Sequence, residues 1–221
     1  MPPSPSANPT VFVVDDDQQM RDSLVALLAV LGFNVHAFSA PGGFHRFYRT
    51  EMPGCLLLDI RMPRQSGLAL YEQLLQEGKR LPVIFITAHA DVSTAVAAMK
   101  TGAIEFLEKP CDRETLVDRI RKALALDAEW RRHDADFAAL NDRIERLTQR
   151  ERETLGLIRA GETNKAIAAK SSLTERAVEM RRSAIMRKLH VRSVAEVVDL
   201  AATHRILADL RGAEANRIPR R

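Results

Sequence analysis

From Val11 the chain alternates short apolar runs with longer stretches in which apolar residues return every three or four positions. Val11–Val14, Val35–Phe38, Cys55–Ile60, Val83–Thr87 and Ile104–Leu107 read as strands. Met20, Leu24, Leu27, Leu28 and Leu31 mark one buried face of a helix stopped by Gly32. Helical spacing returns near 41–50, 66–77, 92–101 and 112–126. Strands alternating with helices predict βαβ units, and so an α/β fold with a five-stranded, doubly wound parallel sheet covered on both faces. The runs Cys-Leu-Leu-Leu-Asp and Val-Ile-Phe-Ile-Thr are apolar almost throughout, as central strands should be.

Beyond residue 126 the rhythm changes. Trp130, Phe137 and Ile144 lie seven apart, Leu140 and Leu147 fill the intermediate positions of the last two heptads, and His133 interrupts the seam. This is a short coiled-coil pattern. No Pro or Gly falls between Cys111 and Gly156, so two readings stand. The fifth helix either runs unbroken into a linker, spanning about 50 Å from 112 to 146, or the linker is an amphipathic segment packed on its own domain. Helical pieces follow near 149–160, 164–171, 174–189 and 193–207, an all-α end with breaks at Gly161, Ser171-Ser172 and Val191-Arg192. The expected organisation is a disordered tail at 1–9, an α/β domain at 10–126, a helical linker at 127–146, a helical domain at 147–210 and a basic tail at 211–221.

Charge sharpens this division. The net +4 is the total of −2 over residues 1–127, −1 over 128–147 and +7 over 148–221. The last third alone is suited to a polyanion. Two cysteines, Cys55 and Cys111, do not make a disulfide framework. There is no apolar run of membrane-spanning length and no signal-peptide pattern at MPPSPSANPT, so a soluble, cytoplasmic protein without a membrane partner is expected.

Candidate chemistry collects at the ends of the predicted strands. Asp15, Asp16 and Asp17 follow the first, Asp59 closes the third, Thr87 closes the fourth, and Lys109 follows the fifth. The carboxyl ends of parallel strands are where such sheets build sites. Clustered carboxylates need a cation, and a hard oxygen site with few protein ligands suits Mg²⁺, with Mn²⁺ as the alternative. A carboxylate held there can accept a phosphoryl group, with metal and Lys neutralising the transferred oxygens.

Val-Val-Asp-Asp-Asp, Leu-Asp-Ile-Arg-Met-Pro, Ile-Thr-Ala and Glu-Lys-Pro, in this order and spacing, closely resemble a response-regulator receiver domain over residues 10–126, of flavodoxin-like fold. The resemblance implies Asp59 as phosphoacceptor, with Asp15, Asp16, Asp59 and the backbone carbonyl of Arg61 as metal ligands. It also implies Thr87 and Lys109 as phosphate partners, and Phe106 as an aromatic that turns inward with Thr87 when the domain switches. Asp17 reads as a solvated helix-start acid. The competing carboxylate chemistry, a hydrolase with an aspartyl-phosphate intermediate, wants a second acid two positions after the nucleophile. Arg61 stands there, so no enzyme is expected.

Leu147-Thr148-x-Arg150-Glu151, Thr163-Asn164-Lys165-x-Ile167-Ala168, Arg176-Ala177-Val178-Glu179 and Ile185-Met186-Arg187-Lys188-Leu189 closely resemble a LuxR-type, four-helix helix-turn-helix domain over about 147–209. The FixJ/NarL class of response regulators joins these two domains. Thr163 and Asn164 also fit as caps of the helix they precede. Along the third helix of the domain, Val178, Ile185 and Leu189 make an apolar stripe, while Arg176, Met180, Ser183 and Arg187 face the other way and Glu179 lies at the edge. Glu179, Met180 and Ser183 are the expected base readers. Lys165, Arg176, Arg182, Arg187 and Lys188 are the expected phosphate contacts. Ser171, Ala177 and Arg181 depart from the pattern, which has Leu, Thr and His at these positions. Ser171 should loosen the turn, so Ser171→Leu should raise the melting temperature.

The combined expectation is a two-component response regulator, phosphorylated by a sensor histidine kinase and binding double-stranded DNA. A homodimer on phosphorylation is expected through the receiver face, the linker or the last helix, with RNA polymerase as a further partner. The alternatives are a receiver with an RNA- or protein-binding output and, more distantly, a phosphatase-type enzyme.

Overall fold

A computed structural model describes residues 8–88 and 91–216. The N-terminal tail expected at 1–9 lies outside the described residues up to residue 7, and the basic C-terminal tail lies outside them from residue 217. The chain divides after Arg131 into two compact units, the second covering Arg132–Ala213.

The first unit contains β1 (Thr10–Val14), α1 (Gln18–Val30), β2 (Asn34–Phe38), α2 (Pro41–Phe47), β3 (Gly54–Asp59), α3 (Gly67–Gln76), β4 (Val83–Thr87), α4 (Val92–Lys100), β5 (Glu105–Glu108) and the first part of α5 (Arg113–Glu145). The strands form one parallel sheet in the order β2-β1-β3-β4-β5. The order reverses between β1 and β3, which places a crevice beyond their carboxyl ends. Strand alternation splits the apolar side chains between two cores. Phe12, Leu56, Leu58 and Phe85 pack with Phe44 of α2 and Leu70 and Leu74 of α3. Val11, Val13, Leu57, Ile84 and Ile86 pack with Leu24 and Leu28 of α1 and Leu116 and Ile120 of α5. β3 and β4 are buried at every position, whereas β2, at the edge, is largely exposed.

The expected linker begins as part of this unit. Asp127 of α5 is 3% exposed. Its Oδ2 accepts from the Gly54 backbone N–H at 2.9 Å and from Arg131 Nε at 2.8 Å. The other nitrogens of Arg131 donate to the Thr50 carbonyl at 2.9 Å and the Met52 carbonyl at 2.6 Å. Gly54 is needed there, because a Cβ would stand 2.0 Å from the Thr10 carbonyl oxygen. The Arg80 guanidinium lies 4.5 Å from the centre of the Trp130 ring.

The second unit comprises the last turns of α5 with α6 (Gln149–Arg159), α7 (Asn164–Ser171), α8 (Glu175–Leu189) and α9 (Val194–Asn216). Leu155, Ile158, Ile167, Val178, Ile185, Leu189, Val197 and Leu200 form its core, and Leu140 and Ile144 of α5 pack against it. Both readings of the linker therefore hold in part. The helix is continuous, and its apolar positions are covered within this unit. Phe137 stacks on His204 with ring centres 4.9 Å apart.

The tail expected from residue 211 is corrected, since α9 continues to Asn216. Leu207 is buried. The Arg211 guanidinium lies 4.4 Å from the Phe137 ring centre and pairs with Asp134 at 3.1 Å. These contacts hold the added turns against α5.

Candidate functional site

The Asp15, Asp16 and Asp59 carboxylates converge at the crevice beyond β1 and β3. One ligand oxygen from each lies within 4.8 Å of the others. Asp15 and Asp59 are buried and Asp16 is exposed. Lys109 Nζ donates to Asp15 Oδ2 at 2.6 Å and stands 3.7 Å from Asp59 Oδ1. Burial raises the Asp59 carboxyl above the usual carboxylate range. Lys109 pulls it back, Asp15 pushes it up, a backbone hydrogen bond at Ile60 lowers it, and Asp16 pushes it up again. Asp59 Oδ1 is buried without a hydrogen-bond partner among the described residues. An orphaned, buried carboxylate oxygen beside two further acids, with one ammonium among them, fits a hard divalent cation.

Local sequence explains how these groups are held. Asp17 caps α1, accepting from the Gln19 and Met20 backbone N–H groups, which fits its reading as a helix-start acid. Gly67 begins α3 directly against the site, and a Cβ there would stand 2.1 Å from the Asp59 carbonyl oxygen. Thr87 is buried at the end of β4, and its carbonyl accepts from the Lys109 backbone N–H at 2.8 Å. Arg61 follows β3, its side chain exposed and 3.7 Å from Asp91, the N-cap of α4. Phe106 is half-buried against the core that contains Phe85, its partner across the β4–β5 register.

In the second unit, Thr163 caps α7 by accepting from Ala166 N–H at 3.2 Å, and Lys165 is exposed. On α8 the exposed residues include Arg176, Glu179, Met180, Ser183 and Arg187, on the stripe opposite the buried Val178, Ile185 and Leu189. Met180 is 69% exposed, although it is apolar. Two expected phosphate contacts are engaged elsewhere. Lys188 Nζ is 2.7 Å from Glu151 Oε2, and Arg182 donates to Asn164 Oδ1 at 2.5 Å. Both sit on flanks of α8 turned toward neighbouring helices.

Sequence reasoning missed the Lys188–Glu151 brace and the capping box of Thr148 and Glu151. The Thr-x-x-Glu spacing was the signal available for the capping box. It also missed the Asp127–Arg131 cluster. Cys55 and Cys111 are both free thiols. No helix among the described residues is long and apolar enough to cross a membrane.

The sequence model of the response regulator receiver domain matches residues 11–121. That of the bacterial regulatory proteins of the luxR family matches residues 145–201. The chain is a response regulator. Response regulator protein TodT of Pseudomonas putida is 36% identical over 188 residues, spanning 85% of this chain and 83% of TodT. The transcriptional regulatory protein FixJ of Azorhizobium caulinodans is 38% identical over 191 residues, spanning 86% of this chain and 90% of FixJ. Among solved structures, response regulator StyR matches with a TM-score of 0.81 at 44% identity, covering 89% of this chain and 99% of StyR.

This response regulator thus joins a flavodoxin-like receiver to a LuxR-type DNA-binding domain. Its family regulates transcription under the control of phosphorylation and is not a family of enzymes. A receiver implies a sensor kinase as partner, and the luxR-type domain implies DNA. Receivers bind Mg²⁺ at an acidic pocket, and the three clustered aspartates form such a pocket here.

Proposed function

We propose that Asp59 accepts the phosphoryl group from a sensor histidine kinase and that this controls how the exposed stripe of α8 binds double-stranded DNA. The observation that carries the reading is Asp59 Oδ1, buried, without a hydrogen bond among the described residues, 3.7 Å from Lys109 Nζ and beside two further carboxylates. Asp15, Asp16, Asp59 and the Arg61 carbonyl hold Mg²⁺ or, alternatively, Mn²⁺. The ion supplies charge neutralisation for the phosphoryl oxygens. Lys109 offsets negative charge on the same oxygens, the Thr87 hydroxyl donates to them, and Phe106 follows Thr87 inward.

Phosphorylation adds about −1.5 to −2 charge at Asp59, and the response is a shift between two receiver states. The dimer forms through α4, β5 and α5, where Val92, Val96 and Met99 leave an apolar face exposed. The outer face of α9, with Val198, Ile206 and Leu210 exposed, is a second surface for pairing. The linker seam is the least available, because Leu140 and Ile144 pack within their own unit.

On DNA, Glu179, Met180 and Ser183 read bases, and Thr163, Lys165, Arg176 and Arg187 contact phosphates. Asn164, Arg182 and Lys188 brace α8. The functional divisions are a receiver at 10–126, a linker at 127–146 and a DNA-binding domain at 147–210, operating in the cytoplasm with RNA polymerase as a downstream partner.

A mobility-shift titration on promoter DNA, with and without acetyl phosphate, tests this reading. Phosphorylation should tighten binding, and Asp59→Asn should abolish the response. Arg187→Ala should weaken binding across sequences and reduce the salt slope by about 1. An absence of salt-sensitive DNA binding in both states would overturn the output.

A further inference from the structure

Between α6, the α7–α8 turn and one flank of α8 lies an open cleft of about 820 Å³. It is lined on the α8 side by Arg181, which turns toward α6 and donates to Thr154 Oγ1 at 3.2 Å. The cleft therefore adjoins the α6-facing flank of α8, not the exposed stripe proposed to read DNA.

Three residues leave this space open. Gly156 lies within α6, with nothing within 4 Å of where a Cβ would stand. Glycine at such a position weakens a helix. Ser171, with its small side chain, is half-buried at the end of α7. Ser172 takes the left-handed conformation at φ 53°, which disfavours any side chain. Local stability is given up at three neighbouring points around one cavity.

The lining is chemically specific. Leu157 and Leu173 are half-buried in its wall and offer an apolar seat. Arg150, Lys170 and Arg181 surround it, opposed by the single carboxylate Glu153. Lys170 pairs with Glu162. The Arg150 guanidinium has no ion-pair partner among the described residues.

We propose that this cleft docks an acidic peptide segment of a partner protein, with a leucine-type side chain between Leu157 and Leu173 and carboxylates facing Arg150 and Arg181. Charge complementarity selects an anion, and the apolar seat selects a peptide over nucleic acid, whose backbone has no aliphatic side chain to fill it. The inference rests on the reading of this domain as the DNA-bound output, since the partner is then one that meets the regulator at its promoter.

The test uses the full chain and a fluorescent synthetic peptide of alternating glutamate and leucine, followed by anisotropy, with DNA binding measured in parallel. Wild type should bind the peptide saturably and more weakly at high salt. Arg150→Glu should weaken peptide binding roughly tenfold. Ser171→Leu, which fills the cleft, should weaken it similarly without lowering the melting temperature or the DNA affinity. DNA binding without saturable peptide binding overturns this inference alone, as does undiminished peptide binding by both variants. Equal losses of peptide and DNA affinity in Arg150→Glu would assign Arg150 to DNA and also overturn it. Loss of DNA binding by the wild type would instead remove the reading on which the inference rests.

Discussion

At Asp59, desolvation and the Asp15 carboxylate raise the carboxyl while the Lys109 ammonium lowers it, and desolvation is the largest of the three. A carboxyl raised in the native state above its unfolded value destabilises the fold once ionised, and that cost lifts as pH falls through the raised value. Asp59→Asn should therefore raise the melting temperature at neutral pH in EDTA and forfeit most of the stabilisation that Mg²⁺ gives wild type. Thermal denaturation with and without Mg²⁺ measures both effects. A drop in EDTA would mean that the Lys109 attraction outweighs burial. Ser172 poses a backbone question instead. Its left-handed φ of 53° suits glycine, so Ser172→Gly should stabilise the second unit by about 1 kcal/mol, read from its denaturant midpoint.

Among the elements, α5 illustrates how one sequence pattern acquires different meanings. Asp118–Lys122, Asp127–Arg131 and Asp142–Arg146 are all acid–base pairs four residues apart on the same helix. The first and last are solvent-exposed pairs, which contribute little. The middle one joins a buried Asp127 to a half-buried Arg131 and is tied to the Gly54 N–H and the Thr50 and Met52 carbonyls. Arg131→Ala leaves the Asp127 carboxylate buried without its cation and should cost about 3 kcal/mol. Trp130, the only tryptophan of the chain, sits beside the cluster and gives the fluorescence signal for that unfolding transition. A loss no larger than that of an exposed pair would show that water replaces the guanidinium.

For the whole molecule, the proposed link between phosphorylation and DNA runs through association. Val92, Val96 and Met99 expose an apolar strip on α4, 82%, 45% and 48% accessible, which a second receiver can cover. Met99→Glu should hold the phosphorylated protein as a monomer in sedimentation experiments while leaving phosphorylation itself intact. If that variant still dimerises on phosphorylation, the pairing surface lies elsewhere, with α9 the next to examine.

Much of this protein is dictated by local pattern. Short, nearly continuous apolar runs marked the strands, three-to-four spacing marked the helices, and the acids at the ends of β1 and β3 share one edge because parallel strands share one carboxyl end. The exposed stripe on α8 was likewise legible from 100° geometry, which separates Val178, Ile185 and Leu189 from Arg176, Met180, Ser183 and Arg187. Contacts between distant segments had no such period. Only tertiary structure distinguished Asp127–Arg131 from its exposed counterparts, turned Lys188 toward Glu151, extended α9 through Arg211 against Phe137, and left space around Ser171. In each case the deciding energy is burial or pairing with a partner far along the chain, and a one-dimensional spacing contains no measure of either.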